Sequence, residues 1–311
     1  MGIFKRPLSH SLSFAIFRGV AGLSFRKKWK LAELLCINSL RRDKILTEVL
    51  SKNLSSCFSD WTTEVVCDFG FVNTRETIFA LLDRFRIWKL SETELKEAVT
   101  LDNAHHLHQQ MARGPVVLLC PHFLGIEAAF LRLTLETSLT TLYRPSGANA
   151  FESFRACARK RFGQQHLYRT DESMLPMIRR MRAGTPLFLL PDLDCGAAGA
   201  VFAPFFNTAA STSPLTAWCA LHAKATVLPV SVRRGHEGAY HVTIHEPMST
   251  LGTDITGATG QVNAVIEQLV RASPEHYWWG QPRFATRPAG NVKFYSDDVL
   301  AYAKSAFGSA V

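Results

Sequence analysis

The sequence predicts an α/β fold: a helix-flanked, largely parallel central sheet with an N-terminal helical region. Apolar residues recur at helical spacing up to about residue 95, and short apolar runs then alternate with helical segments. Such alternation is typical of a parallel sheet covered by helices. With 311 residues, 47% of them hydrophobic, the chain is also long enough to bury a substantial core.

The chain is predicted to consist of a basic segment, residues 1–30, and a single domain, residues 31–311, whose helical part ends near residue 95. No linker rich in Pro, Gly or Ser, no low-complexity stretch and no internal repeat divides it. The seven cysteines are scattered, and no Cys-x-x-Cys motif occurs. This pattern is evidence against a zinc site or a disulfide framework, and it favours a reducing compartment.

The basic segment carries most of the net charge of +9, because residues 1–32 contain seven Lys and Arg and no acid. Arg18 interrupts its apolar run "LSHSLSFAIFRGVAGLSF", so a transmembrane helix is not expected. A basic amphipathic helix on the anionic face of a membrane is the favoured interpretation. The alternative is a terminal helix that packs on the protein with its lysines in solvent. Nucleic acid is not an expected partner, because the remaining chain is nearly neutral and lacks a recognition motif.

Helices are expected first in "KLAELLCINSLRRDKILTEVLSKNL" and "TRETIFALLDRFRIWKL". The predicted strands that follow are "PVVLLC", "LTTLYR", "PLFLLPD", "ATVLPVSVRR" and "YHVTIHE". The predicted helices between and after them are "NAFESFRACARKRF", "ESMLPMIRRM", "SPLTAWCALHAKA" and "ITGATGQVNAVIEQLVRA". Sites in parallel sheets form at the carboxyl ends of strands. His122, Arg144, Asp192 and Asp194 all follow strand runs, which predicts a site there.

Three histidines have an acid five positions later, where about one is expected by chance from 11 His and 26 acids. Five residues apart, two side chains point to opposite faces of a strand and diverge on a helix. A strand–turn–helix junction can bring them together. Only His122 and Glu127 have such a junction, between "PVVLLC" and "GIEAAFLRL". The pairs beginning at His166 and His241 lack it.

Other chemistries have little support in the sequence. No G-x-S-x-G elbow, P-loop or dinucleotide fingerprint occurs. His105 and His108 could present two metal ligands, but no third is evident nearby, so no metal is expected. Cys120 is expected to be a buried strand cysteine rather than a nucleophile. A histidine and a carboxylate without a side-chain nucleophile suit attack by a substrate hydroxyl, with Glu127 orienting the base. A core histidine beside a carboxylate is the alternative.

Four ordered blocks, from about residue 95 to 290, resemble the late acyltransferases of lipid A biosynthesis, of the lauroyl/myristoyl transferase type. These are "PHFLGIE", "LYRPSGAN", "PDLDCGAAGAVFAPFFNTAASTSP" and "PEHYWWGQPRFATRP". The resemblance implies that His122 and Glu127 are the catalytic dyad and that Arg144 and Asp194 line the site. It also implies an acyl chain from acyl carrier protein, a lipid A precursor (Kdo-lipid IVA type) as acceptor, no cofactor, and the cytoplasmic face of the bacterial inner membrane.

Several assignments have alternatives. Arg144 is expected to bind an acceptor phosphate or the developing oxyanion, or else to form an ion pair with Asp192 or Asp194. Phe202, Phe205 and Phe206 either wall an acyl-chain groove or belong to the core. The basic clusters at 159–161 and 179–182 either dock the acidic carrier protein or are helix-surface charge. Pro121 and Gly280 depart from the family pattern, which leaves another lipid acceptor open. A lipid-binding protein without catalysis is the competing class.

Overall fold

The computed structural model describes residues 10–143, 150–163, 165–169, 173–249 and 251–307. Within these ranges seven strands form one sheet, in the order β1-β9-β8-β2-β5-β3-β4, and β6 and β7 form a separate hairpin. The strands are β1 (Val99–Asp102), β2 (Val116–Leu119), β3 (Leu139–Tyr143), β4 (Gln165–Arg169), β5 (Leu187–Leu189), β6 (Val201–Phe205), β7 (Thr208–Thr212), β8 (Thr226–Arg234) and β9 (Tyr240–Ile244).

The large sheet is mostly parallel, because among its pairings only that of β8 with β9 is antiparallel. Every predicted strand run contains one of its strands, so the fold-class prediction is confirmed. The strand β2 lies near the middle, and all four of its residues are buried. Its continuous apolar run is what a strand covered by helices on both faces requires.

Among the described residues, five helices precede the sheet: α1 (His10–Ala21), α2 (Phe25–Arg42), α3 (Lys44–Cys57), α4 (Thr63–Ile87) and α5 (Glu92–Ala98). Seven more are α6 (Ala104–Arg113), α7 (Ile126–Leu133), α8 (Ala150–Arg159), α9 (Leu175–Arg182), α10 (Leu215–Ala223), α11 (Ile255–Ala272) and α12 (Asp297–Phe307). Side-chain caps define several starts: Ser91 with Glu94 forms a capping box at α5, and Asp254 caps α11. No helix of these described ranges is long and apolar enough to cross a membrane.

Helix α2 packs on α4 through a buried ion pair. The Nζ atom of Lys28 lies 2.9 Å from Oδ1 of Asp83, and both side chains are nearly inaccessible. Asp83 also accepts hydrogen bonds from Arg86 and from the Tyr240 hydroxyl. Removing one partner of such a pair costs roughly 3–5 kcal/mol, because the other charge is left buried. Lys28, counted in the basic segment, therefore anchors α2 and is not available to a membrane.

Helix α1 also packs on the protein. The ring of Phe17 stacks on that of Phe85 in α4, with centroids 4.5 Å apart. The predicted boundary at residue 30 falls inside α2, which continues to Arg42. The alternative of a docked terminal helix thus describes the inner faces of α1 and α2, and association of this segment with a membrane stays a prediction.

Candidate active site

His122 lies in the short loop between β2 and α7, at the carboxyl end of the central strand. A C-terminal segment holds this loop: the Leu124 amide donates to the His276 carbonyl, and the Trp278 amide donates to the His122 carbonyl. Phe123 and Tyr277 form an antiparallel bridge between the two segments. These backbone hydrogen bonds hold the loop in place and so fix the position of the His122 main chain, from which the imidazole extends.

Gly125 allows the loop to turn tightly against the sheet. A Cβ atom at this position would lie 2.7 Å from Cγ1 of Val232 and 2.8 Å from Cδ1 of Tyr240. Any side chain here would push the loop away from β8 and β9, so the glycine is required by the close approach. Helix α7 begins at the next residue.

Asp192 binds His122 through both of its oxygens. Oδ1 lies 2.8 Å from Nδ1 of the imidazole, and Oδ2 accepts a hydrogen bond of 2.8 Å from the His122 amide. The strand register explains this contact. Leu119 of β2 pairs with Leu189 of β5. His122 comes three residues after Leu119, and Asp192 comes three residues after Leu189. The carboxylate fixes the tautomer, which leaves Nε2 as the nitrogen available for a proton.

The pair is suited to hold charge. The Asp192 side chain is 1% exposed, whereas the His122 side chain is 20% exposed and so can be reached. Burial acts to raise the pKa of Asp192, but the charge of His122 and its two hydrogen bonds outweigh burial and lower that pKa below its ordinary value. Asp192 is therefore an ionised carboxylate at neutral pH, ready to stabilise an imidazolium.

Glu127 makes different contacts from the ones predicted. Its carboxylate accepts a hydrogen bond of 3.1 Å from Nε1 of Trp88, and it forms a bidentate ion pair with Arg159 of α8. The expectation that Glu127 orients His122 is therefore wrong, because Asp192 binds Nδ1. The five-residue spacing allows proximity, but α7 directs Glu127 toward α4 and α8. A catalytic role for Glu127 stays a prediction.

Glu127 is a buried anion stabilised by cations. Burial alone would raise its pKa, but the charge and hydrogen bonds of Arg159, with further contributions from Arg84 and Trp88, lower that pKa from 4.5 to about 2. A carboxyl with a lowered pKa stabilises the folded state above its unfolded pKa. This contribution is lost as the pH falls from about 4.5 toward 2.

The Glu127→Gln substitution should remove this pH dependence. We expect the difference in free energy of unfolding between wild type and variant to shrink by about 3 kcal/mol as the pH falls from 6 to 2. Urea denaturation across that range measures it. Glu97→Gln, at an exposed position, is the control and should stay within about 0.5 kcal/mol of wild type. A difference that stays constant through the acid range would contradict the assignment.

The other residues predicted for the site are dispersed. Asp194 accepts hydrogen bonds from the Thr286 amide and hydroxyl, at 2.7 and 2.8 Å, and from the Gly196 amide. It thus attaches the C-terminal segment to the loop after β5. Arg144 lies outside the described residues, so its assignment stays a prediction.

The phenylalanines of the β6–β7 hairpin divide between surface and core. Phe205 and Phe206 are each 1% exposed and pack edge-to-face on one another. Phe206 also contacts Phe58 and Trp279. Phe205 and Phe206 therefore belong to the hydrophobic core, which was the alternative to lining an acyl-chain groove, because other aromatic rings enclose them. Phe202 is half-buried, and its part in a groove stays a prediction.

The first basic cluster is largely used within the fold. Arg159 binds Glu127, and Arg161 donates to the carbonyls of Trp88 and Leu90. Lys160 is the exposed member of this cluster.

In the second cluster, Arg179 and Arg182 are exposed. Nη1 of Arg180 lies 3.0 Å from Nε2 of His166. Sequence reasoning missed the roles of Trp88 and Arg159, because both contacts join residues far apart in the chain.

The other histidines singled out from the sequence make contacts away from His122 and Asp192. His241 contacts the Thr100 hydroxyl, while Glu246 lies 3.2 Å from His106. His108 lies 3.4 Å from Glu136, and no group of three or more potential metal ligands occurs among the described residues. Cys120 is fully buried, and burial raises the pKa of its thiol, which disfavours a nucleophilic thiolate.

A partly exposed histidine with a buried carboxylate partner, at the carboxyl edge of a parallel sheet, has a geometry that general-base catalysis can use. The family model for bacterial lipid A biosynthesis acyltransferase matches residues 6–286. The chain belongs to this family and is an acyltransferase.

Curated relatives are similar to this chain over most of their own length. A lipid A biosynthesis acyltransferase of Haemophilus influenzae is 29% identical over 87% of this chain and 86% of that protein. The lipid A biosynthesis palmitoleoyltransferase of Escherichia coli is 25% identical, over 79% of this chain and 81% of its own. The lauroyltransferase of the same organism is 24% identical, over 81% and 83%. These names differ in the acyl chain, so similarity does not specify chain length.

Proposed function

We propose that this protein transfers a fatty acyl chain from acyl carrier protein to a hydroxyl of a lipid A precursor of the Kdo-lipid IVA type. The reaction takes place on the cytoplasmic face of the bacterial inner membrane. The observation that carries the proposal is the His122–Asp192 pair, with one imidazole nitrogen fixed by a buried carboxylate and the side chain partly exposed. The choice of an acyl group and a lipid acceptor as substrates is supported by membership of the family.

In the proposed mechanism, Nε2 of His122 takes the proton of the acceptor hydroxyl as its oxygen attacks the thioester carbonyl. Asp192 stabilises the imidazolium that forms. The tetrahedral intermediate collapses by breaking the C–S bond, and the departing thiolate receives the proton from His122. The products are the ester and the free thiol of the carrier. Arg144 is proposed to bind the oxyanion or an acceptor phosphate, since its guanidinium is always charged.

A transfer assay with purified components tests the proposal. The protein is incubated with acylated carrier protein and the Kdo-bearing lipid A precursor, and mass spectrometry detects the acceptor heavier by one acyl group. We expect product only with enzyme and acyl donor both present. Transfer to a glycerophospholipid instead would identify the other lipid acceptor. Binding of lipid without transfer to any acceptor would identify a lipid-binding protein and overturn the proposal.

A further inference from the structure

Helix α2 has one face buried on the protein and an opposite face exposed. Lys28, Ala32 and Cys36 are buried against the neighbouring helices. Six exposed residues make up the α2 outer face: Arg26, Lys27, Lys30, Leu34, Ile37 and Arg41. At about 100° per residue these six lie within an arc of roughly 100°. They therefore form one continuous stripe along the helix.

The composition of the α2 outer face is aliphatic and basic. Leu34 is 66% exposed and Ile37 is 38% exposed, although a helix docked on a protein usually turns such residues inward. The four other members are Lys or Arg, and the one acid of α2, Glu33, lies at the edge of the stripe. Long basic side chains can reach phosphates while aliphatic neighbours enter the acyl region, which is how interfacial helices bind anionic bilayers.

The α2 outer face belongs to a helix at the active-site edge of the sheet. Strand β8 pairs in parallel with β2 up to Pro229 and then continues to Arg234, beyond the carboxyl end of β2. The Arg234 guanidinium lies 4.9 Å from the ring of Trp29 and 5.8 Å from that of Phe25, in the first turns of α2. The start of α2 therefore lies beside the edge from which His122 projects.

We propose that the α2 outer face binds an anionic lipid surface and so holds the catalytic edge beside the membrane that contains the acceptor. The inference deepens the proposed function and rests on it for the presence of a lipid acceptor. It extends membrane contact beyond the basic segment 1–30 to Leu34, Ile37 and Arg41. An acidic protein partner suits this stripe less well, since the stripe is the convex surface of a single helix and has no groove for an anchor side chain.

Vesicle flotation of the full-length protein tests the proposal. The vesicles are phosphatidylcholine with or without phosphatidylglycerol. The variant Leu34→Glu/Ile37→Glu should lower the partition coefficient on anionic vesicles by at least about tenfold. The variant Lys30→Glu/Arg41→Glu should also bind less and should lose the preference for phosphatidylglycerol.

The matched control is Leu175→Glu/Val292→Glu, which introduces the same charge at two residues that are 63% and 86% exposed. It should float nearly as well as wild type. Equal flotation of the α2 variant and this control would overturn the proposal. Loss of carrier-protein binding with unchanged flotation would assign the face to an acidic protein instead.

Transfer in detergent micelles separates this proposal from the proposed function. The α2 variants should retain near wild-type transfer there, because their active site is unchanged and no bilayer is needed. If the wild-type protein transfers no acyl chain in micelles but the flotation differences are found, the proposed function is wrong. The proposal that the α2 outer face binds an anionic lipid surface is then still supported. Loss of transfer by the α2 variants in micelles would mean that the substitutions act on the fold or site, which contradicts the proposal.

Discussion

Replacing His122 with alanine should lower kcat for acyl transfer by about 10²–10⁴ while leaving the protein folded. The imidazole is the proposed general base, and without it the acceptor hydroxyl must lose its proton to water. Folding should persist because the backbone hydrogen bonds that hold the loop, from Leu124 to the His276 carbonyl and from Trp278 to the His122 carbonyl, do not involve the imidazole. Single-turnover assays with acylated carrier protein measure the effect, and thermal unfolding checks the fold.

Two histidines serve as controls for this prediction. His166 and His241 share the five-residue spacing to an acid, but they lie on β4 and β9 and contact Arg180 and Thr100. Their alanine variants should transfer at nearly the wild-type rate. Normal transfer by folded His122→Ala, or a large loss in either control alone, would contradict the assignment.

The fold class could be predicted because its signals are local. A strand, a turn and a helix are specified within twenty residues by "PVVLLC" and by "GIEAAFLRL", which begins with Gly125. The structure has β2 and α7 at these positions. The order of strands is not a local property. Nothing in the run 187–189 indicates that β5 pairs with β2 rather than with another strand, and that pairing places Asp192 beside His122.

The site was predicted only as far as the edge of the sheet. His122 and Asp192 were both expected at carboxyl ends of strands, but the spacing to Glu127 favoured the wrong partner for the imidazole. The carboxylate of Glu127 is instead satisfied by Trp88 and Arg159, which lie 39 and 32 residues away. For Phe205 and Phe206, an apolar cluster predicts burial, and the sequence does not distinguish burial in a core from burial against an acyl chain.

Replacing Asp192 with asparagine should lower kcat by roughly 10²–10⁴ through the tautomer of His122. The asparagine oxygen must accept the hydrogen bond of the His122 amide, which Oδ2 of Asp192 now accepts. Its NH₂ group then faces Nδ1 and donates to it, so the imidazole carries its proton on Nε2 and cannot act as a base there. The variant also loses the charge that stabilises the imidazolium.

The double variant of His122 and Asp192 should be little slower than His122→Ala, because two residues that act as one unit are not additive. NMR of the imidazole nitrogens in Asp192→Asn should detect the proton moved to Nε2, a change that a merely structural role would not produce. Glu127→Gln gives the decisive comparison. If folded Glu127→Gln loses more kcat than Asp192→Asn, and Asp192→Asn keeps the wild-type tautomer, then Asp192 is not the partner of the catalytic histidine.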